Sequence, residues 1–198
     1  MMKKILTVLA LSGLTALFAA DEIKLPAPQK SGGMSLREAL NSRHTVRKFQ
    51  NKELTLQQLS DMLWSANGVN RPNGKRTAPS AMDRRDIMIY AALKDGAYFY
   101  NPEKHLLEKI TDTDLRNACG KFSAPCYLIL IPDRTKQSRE AFAAVDAGYV
   151  SQNIYLAAQA NGLGSCAMGS IVDRKKIADE LKTGKNMPFL VHPVGIPL

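Results

Sequence analysis

An α+β fold is predicted by the order of elements along the chain: helix, helix, strands, helix, strand, long helix, strand, helix, strand. Three stretches decide it. Residues 142–169, FAAVDAGYVSQNIYLAAQANGLGSCAMG, read as one long helix, a glycine turn and a short strand. Residues 127–131 form a continuous apolar run of the kind a central strand shows. Residues 86–93 alternate, meet the turn Lys94-Asp95-Gly96 and return through 97–100 as a hairpin.

The chain opens on a targeting pattern. Lys3 and Lys4 form a positive start, residues 5–20 are apolar and uncharged, and Ala19-Ala20 supply small residues at the end. The apolar run is shorter than the ~20 residues of a usual membrane span, so a signal peptide over 1–20 and export to the periplasm or medium are expected. No cysteine follows the run and no Arg-Arg pair precedes it, which selects the general secretion route without a lipid anchor. Removing the segment leaves 178 of 198 residues, one core's worth, with no stable membrane span in the mature chain. The formal charge of +9 falls to +7 when Lys3 and Lys4 leave. Such a surplus suits an anionic surface or ligand, while the absence of a long basic run or basic helix argues against nucleic acid. Cys119, Cys126 and Cys166 are odd in number and lack metal spacing, so at most one disulfide is possible. His44, His105 and His192 are scattered, and no metal site is expected.

Pro26, Pro28, Gly32 and Gly33 mark residues 21–34 as a linker, and the folded domain is expected over 35–198. Ser35 and Glu38 make a capping box for a short helix over 36–42. Thr55 caps a second helix over 56–66, with Leu59, Met62 and Leu63 on its apolar side and Trp64 in the core. After the hairpin, a short strand is expected around 105–108, a helix over 112–119, and the central strand. Residues 134–139 should open the long helix. Small and apolar residues surround that helix on every side, which predicts burial on every side. Asp146, Gln152, Asn153 and Gln159 then need partners in the core or at an interface. Gly162 caps it, a strand follows over 165–168, Asp173 caps a helix to Leu181, and Pro193 breaks a last strand over 189–196.

Two stretches carry candidate binding chemistry. Arg43, His44, Thr45, Arg47 and Lys48 gather donors and positive charge after the first helix, and guanidinium forks suit phosphate oxygens. The same pattern also fits a solvated basic helix end. In residues 77–85, TAPSAMDRR, the small residues around Pro79 leave room for a flat ring, and the same residues also fit an ordinary loop entering a strand.

Over nearly all of 35–197 the chain resembles the FMN-dependent nitroreductase family. RHTVRKF at 43–49 is similar to the family's RRSxRxF, APSAMDRR at 78–85 to its PSxxN loop, and DAGYVSQNIYLAAQANGLGSCAMG at 146–169 to its long-helix and GLG-strand segment. HPVGIP at 192–197 resembles a family ending. The resemblance implies an α/β sandwich with a central, mostly antiparallel sheet flanked by helices. It also implies a homodimer through the long helices, with two FMN molecules at the interface, each touched by both chains. Arg43, Thr45 and Arg47, with His44 beside them, match positions that hold the FMN phosphate and ribityl chain. Pro79, Ser80 and Ala81 match the loop against the isoalloxazine ring. Ala167, Met168 and Gly169 match the strand approaching from the other side.

The implied activity is ping-pong oxidoreduction of a small molecule. NAD(P)H or another reductant gives a hydride to flavin N5, and a flat electrophile such as a nitroaromatic or quinone then enters the same slot. No side chain is assigned as catalytic acid or base. Two departures from the family pattern stand out. Asp83 occupies a place where many members have an Asn contacting the flavin pyrimidine, and the chain ends at Leu198 without the basic residues many members put near the C-terminus. Export separates the protein from cytoplasmic NAD(P)H, so an exported flavin- or anion-binding protein without turnover and an azoline-type flavin dehydrogenase stand as alternatives.

Overall fold

The structure is a computed structural model that describes residues 22–198. The targeting segment expected over 1–20 lies outside the described residues. Seven strands form one antiparallel sheet: β1 (Glu22–Lys24), β2 (Ile87–Leu93), β3 (Gly96–Asn101), β4 (Leu106–Thr111), β5 (Cys126–Pro132), β6 (Gly164–Ser165) and β7 (Leu190–Gly195), in the order β1-β4-β3-β2-β5-β7-β6. Five helices flank it: α1 (Leu36–Ser42), α2 (Leu56–Asn67), α3 (Arg116–Cys119), α4 (Glu140–Ala160) and α5 (Arg174–Glu180). The fold is α+β, as expected.

Alternation along the central strands makes two cores. Ile87, Ile89 and Ala91 of β2, with Leu128 and Leu130 of β5, pack against Leu63 of α2 and Val150 and Ile154 of α4. On the other face, Tyr90, Tyr127, Ile129 and Ile131 pack against Leu115, Cys119, Ile177 and Leu181. A strand covered on both faces must be apolar throughout, which is why β5 shows no alternation. The predicted capping box of Ser35 with Glu38 forms on α1, and the expected Thr55 cap of α2 is itself a capping box, with Gln58.

Several local expectations are corrected. The segment read as linker begins with β1, an edge strand pairing Ile23 with Leu107. It continues as a strap over α2, where Gln29 N–H donates to Asp61 (2.8 Å) and the Ser60 hydroxyl donates to Pro26 O (2.7 Å). The helix expected over 112–119 is only α3, because the Asp114 carboxylate takes the Arg116 N–H and guanidinium, and Thr111 and Thr113 bond Glu180 instead. The long helix starts at Glu140. The Asp133 carboxylate turns the chain by binding the Thr135 N–H (3.0 Å) and hydroxyl (2.6 Å), a local competitor of helix.

Pro193 does not break β7. Val191 exchanges both backbone bonds with Met168, so Pro193, two residues on, faces the same side. There the chain has left the ladder between Ser165 and Met168, and the missing N–H costs no bond. For the same reason the strand expected over 165–168 reduces to β6 and one bridge at Met168. Trp64 is half-buried, donating to Val69 O (3.0 Å). Finally, α4 is not covered all round: Ala141, Val145, Gly148, Tyr149 and Gln152 form an exposed stripe in the single chain. Among the described residues no helix is long and apolar enough to cross a membrane, and no cluster of His, Cys, Asp or Glu is arranged for a metal. All three cysteines are free and buried.

Candidate functional site

The basic segment after α1 is laid against β6 by its backbone. Arg43 ends the helix with φ −55° and ψ 123°, its N–H still bonded to Ala39 O. Val46 N–H then donates to Ser165 O (2.9 Å), Phe49 bridges Pro197, and Gln50 N–H donates to Ile196 O (2.9 Å). Close approach here requires a glycine. A Cβ on Gly164 would lie 2.6 Å from Val46 Cβ and 2.7 Å from both its methyl carbons.

Tyr155 of α4 joins this segment to the stretch that follows β6. Its hydroxyl accepts from Ala167 N–H (2.8 Å) and lies 3.3 Å from Thr45 Oγ1. The Arg43 guanidinium sits 5.2 Å from the ring centre, in cation–π range. His192 meets the ring edge-on at 5.5 Å. That imidazole is fully buried between Ser165 Oγ (3.0 Å) and Ser151 Oγ (2.9 Å), and burial pulls its pKa down to about 3. A neutral ring offers one donor and one acceptor, so it spans the two hydroxyls and fixes the Tyr155 ring from behind.

Of the other residues singled out, His44 is exposed and donates from Nδ1 to Ser42 O (2.9 Å). Arg47 is exposed. Neither Arg43 nor Arg47 has a carboxylate partner among the described residues. Met168 is half-buried and bridged to Val191, whereas Gly169 is exposed, and a Cβ there would meet nothing within 4 Å.

The 79–85 loop is built differently. Asp146 of α4 accepts from Ala81 N–H at Oδ1 (2.9 Å) and from the Ser80 hydroxyl at Oδ2 (2.9 Å). The Ser80 oxygen in turn accepts from Arg85 N–H (2.7 Å). Between these anchors Met82, Asp83 and Arg85 hold φ values of 56°, 54° and 49°. Left-handed backbone at such residues costs on the order of 1–3 kcal/mol each and persists only where the surroundings enforce it. Asp83 is exposed and pairs bidentately with Arg85, Oδ1 to Nε at 3.2 Å and Oδ2 to Nη2 at 3.1 Å. Pro79 is exposed, and Met82 is 67% exposed.

One chain therefore brings Arg43, Thr45 and Ala167 to Tyr155, and holds Ser80 and Ala81 at Asp146, elsewhere on α4. Asp146 and Tyr155 are nine residues apart, about 13 Å along the axis. Three groups that organise these parts were not singled out as site residues in the sequence. Tyr155 is one aromatic among alanines, and nothing in its spacing marks its hydroxyl. Asp146 was identifiable only as a polar group needing partners. Asp86 reads as the ordinary start of a strand, yet it is fully buried, and neither carboxyl oxygen has a well-formed hydrogen bond from any other residue. Burial, first, and then the neighbouring Asp146 carboxyl raise its pKa well above the carboxylate range.

Comparisons with known proteins bear on the fold and the family. The nitroreductase family profile matches residues 40–196. A protein of Methanocaldococcus jannaschii assigned as a nitroreductase is 31% identical over 194 residues, covering 88% of this chain and 96% of that one. A crystal structure of a protein so assigned from Ralstonia eutropha superposes with TM-score 0.85 at 34% identity, covering 90% of each chain. Another, from Desulfovibrio desulfuricans in complex with FMN, shares the fold at TM-score 0.60 and 18% identity, covering 84% of this chain and 88% of that one.

Proposed function

We infer the function from one premise: this chain belongs to the nitroreductase family, and it is accordingly an oxidoreductase that takes a reductant and a small-molecule substrate. We propose that it binds FMN, acts as a homodimer, and works outside the cytoplasm. The observation that carries the cofactor reading is the convergence at Tyr155. The Arg43 guanidinium over the Tyr155 ring and the Thr45 hydroxyl beside its oxygen meet the Ala167 N–H there. Arg47 is exposed two residues on, without a carboxylate partner among the described residues, and Gly169 leaves open space. Unneutralised cations of this kind fit the phosphate and polyol of FMN. When bound, FMN supplies two-electron chemistry between NAD(P)H or another reductant and a flat electrophile such as a nitroaromatic or quinone. Arg43, Arg47 and Thr45 would hold the phosphate end, Ala167–Gly169 would face the ring, and the Pro79–Ala81 loop of a second copy would close over it.

Dimerisation follows from two features. Val145 (49% exposed) and Tyr149 (45%) on α4, with Leu36 (64%) and Leu40 (53%) on the neighbouring α1, leave apolar surface that a second copy would cover. The ring loop also lies away from Tyr155 within one chain, so a two-fold partner would bring each loop to the other's phosphate end. Export rests on the pattern over residues 1–20, and sequencing the N-terminus of the mature protein tests it, an intact Met1 on cytoplasmic protein refuting it.

Purified protein should be yellow or take up FMN, and anaerobic addition of NADPH or dithionite should bleach it. Colourless protein that takes up no FMN at millimolar concentration refutes the cofactor reading. Yellow protein that bleaches with dithionite but passes no electrons to any quinone or nitroaromatic refutes turnover and leaves flavin binding.

A further inference from the structure

We propose that Asp86 and Asp146 form a buried carboxyl pair sharing one proton, and that this proton latches the 80–85 loop in the shape that faces the flavin. The proposal rests on the flavin reading for the loop's purpose, and not for the pair itself.

The geometry leaves little choice of protonation state. Asp86 is 0% exposed and Asp146 1%. Donors reach both oxygens of Asp146, from Ser80 and Ala81, so it behaves as the acceptor of the two. Neither oxygen of Asp86 has a well-formed hydrogen bond from any other residue, and its own backbone N–H offsets the burial only in part. Ser80 ties the two acids together: its hydroxyl donates to Asp146 (2.9 Å) and accepts from the N–H of Arg85 (2.7 Å), the residue before Asp86, and the Asp146 carboxyl raises the Asp86 pKa. An ionised Asp86 would be an unsatisfied buried charge against a second carboxylate, the most costly arrangement of the two. A protonated Asp86 instead donates its O–H to Asp146 and satisfies both. The charged group facing the pair from the third element is Asp133, beyond β5, whose negative charge acts in the same direction. Asp133 N–H also donates to Asp86 O (2.8 Å), fixing where the Asp86 side chain starts.

The loop needs such a latch. Its three left-handed residues, Met82, Asp83 and Arg85, are not glycines, and the bonds to Asp146 and Ser80 are what hold them. Loss of the shared proton puts two like charges in contact beneath Ser80 and Ala81. The pair separates, the Asp146 carboxylate shifts, and the loop relaxes toward ordinary backbone. Asp86 and Asp146 are thus positioning residues: they act through the loop.

Three measurements on the full mature chain decide this. Infrared difference spectra of the flavin-free protein should show the carbonyl stretch of a protonated carboxylic acid in mildly acidic buffer, absent from Asp86→Asn. Trypsin should cut after the exposed Arg84 faster as pH rises, relative to Asp86→Asn, whose amide donates to Asp146 at every pH. FMN dissociation constants should rise about tenfold across the same titration in wild type, the factor expected if one loop in ten keeps the binding shape, and stay flat in Asp86→Asn. Asp146→Asn should weaken binding at all pH values. Absence of the carboxylic acid band, or identical pH profiles in wild type and Asp86→Asn, overturns the proposal. Should Asp86→Asn fail to fold, the isotope-shifted band of wild type in D2O still decides. Should no FMN bind at any pH, the flavin reading fails, while the infrared and trypsin results still judge the pair.

Discussion

Gly164→Ala tests whether the basic segment and the strand after α4 form one site. The added Cβ would sit 2.6–2.7 Å from three carbons of Val46, whereas carbon atoms rest at ~3.5–4.0 Å. Val46 must therefore retreat by about 1 Å, because its branched side chain has no alternative rotamer at low cost. That retreat stretches the Val46–Ser165 bond from 2.9 Å to nearly 4 Å, beyond hydrogen bonding. Overpacking costs about 1–3 kcal/mol and the lost bond about 1 more. Against this, replacing Gly by Ala restricts the unfolded chain and returns ~0.4–1 kcal/mol. The strain wins, with a net loss of roughly 2–3 kcal/mol. At ~2–4 °C per kcal/mol for a chain of this size, melting should fall by about 5–10 °C. FMN affinity should fall with it, because Thr45 and its neighbours move with Val46. Thermal melts followed by circular dichroism and FMN titration by fluorescence quenching give both numbers. A variant that melts with wild type and binds FMN equally well would show that Val46 is not held against Gly164, and the site as described would not exist.

Tyr155→Phe keeps the ring against His192 and Arg43 but strands Ala167 N–H, so a loss of about 1–2 kcal/mol in stability and a several-fold weaker FMN complex are expected in the same two assays. Arg43→Ala and Arg47→Ala should each weaken FMN binding by ~1.5–3 kcal/mol without lowering the melting temperature, as read by titration calorimetry; unchanged affinity would make them solvated surface cations. Val145→Lys, on the exposed stripe of α4, should yield a folded monomer where wild type should scatter light as the proposed dimer; a monomeric wild type refutes the dimer, and a variant that still dimerises places the interface elsewhere.

The sequence carried the fold well because its signals were local and repeated. The Ser35–Glu38 box, the Thr55 cap, the Lys94-Asp95-Gly96 turn and the unbroken apolar run of β5 each imply one structure by short-range chemistry. Failures came where a side chain captured nearby backbone N–H groups that a helix would have used. Asp133 and Asp114 each took N–H groups two residues on, and helices expected to start there start later. Pro193 was misleading because its effect depends on which strand lies alongside, and the neighbour had left the ladder. For the site, the basic and small-residue stretches were readable as candidates, but their assembly was not. That assembly depends on Tyr155, His192 and Asp146, three residues whose roles come from contacts across 12 to 110 positions of sequence.

Two buried titratable groups should shape the pH dependence of stability in opposite senses. Burial lowers the His192 pKa to about 3 from an unfolded value of 6.5. Its contribution is therefore present above ~6.5 and is lost as pH falls toward ~3, up to about 5 kcal/mol in all. Burial and Asp146 raise the pKa of Asp86. Its contribution is present below the unfolded value of ~3.9 and is lost as pH climbs toward neutrality. Between pH ~4 and ~6.5 one slope is positive and the other negative, each at most ~1.4 kcal/mol per pH unit for a single proton. They offset each other, so these two groups leave a flat profile there, and the His192 loss alone continues below pH ~4. Substitution separates them. Asp86→Asn leaves the His192 slope exposed, so relative to wild type the variant should gain stability steadily as pH rises from ~4 toward neutrality. His192→Gln, which keeps a donor and an acceptor for Ser151 and Ser165, should lose stability relative to wild type over ~3 to ~6.5 as pH rises. Urea melts at each pH supply the difference curves. Flat differences for both variants would mean that neither group titrates abnormally in the folded chain, and the burial that defines both sites would be wrong.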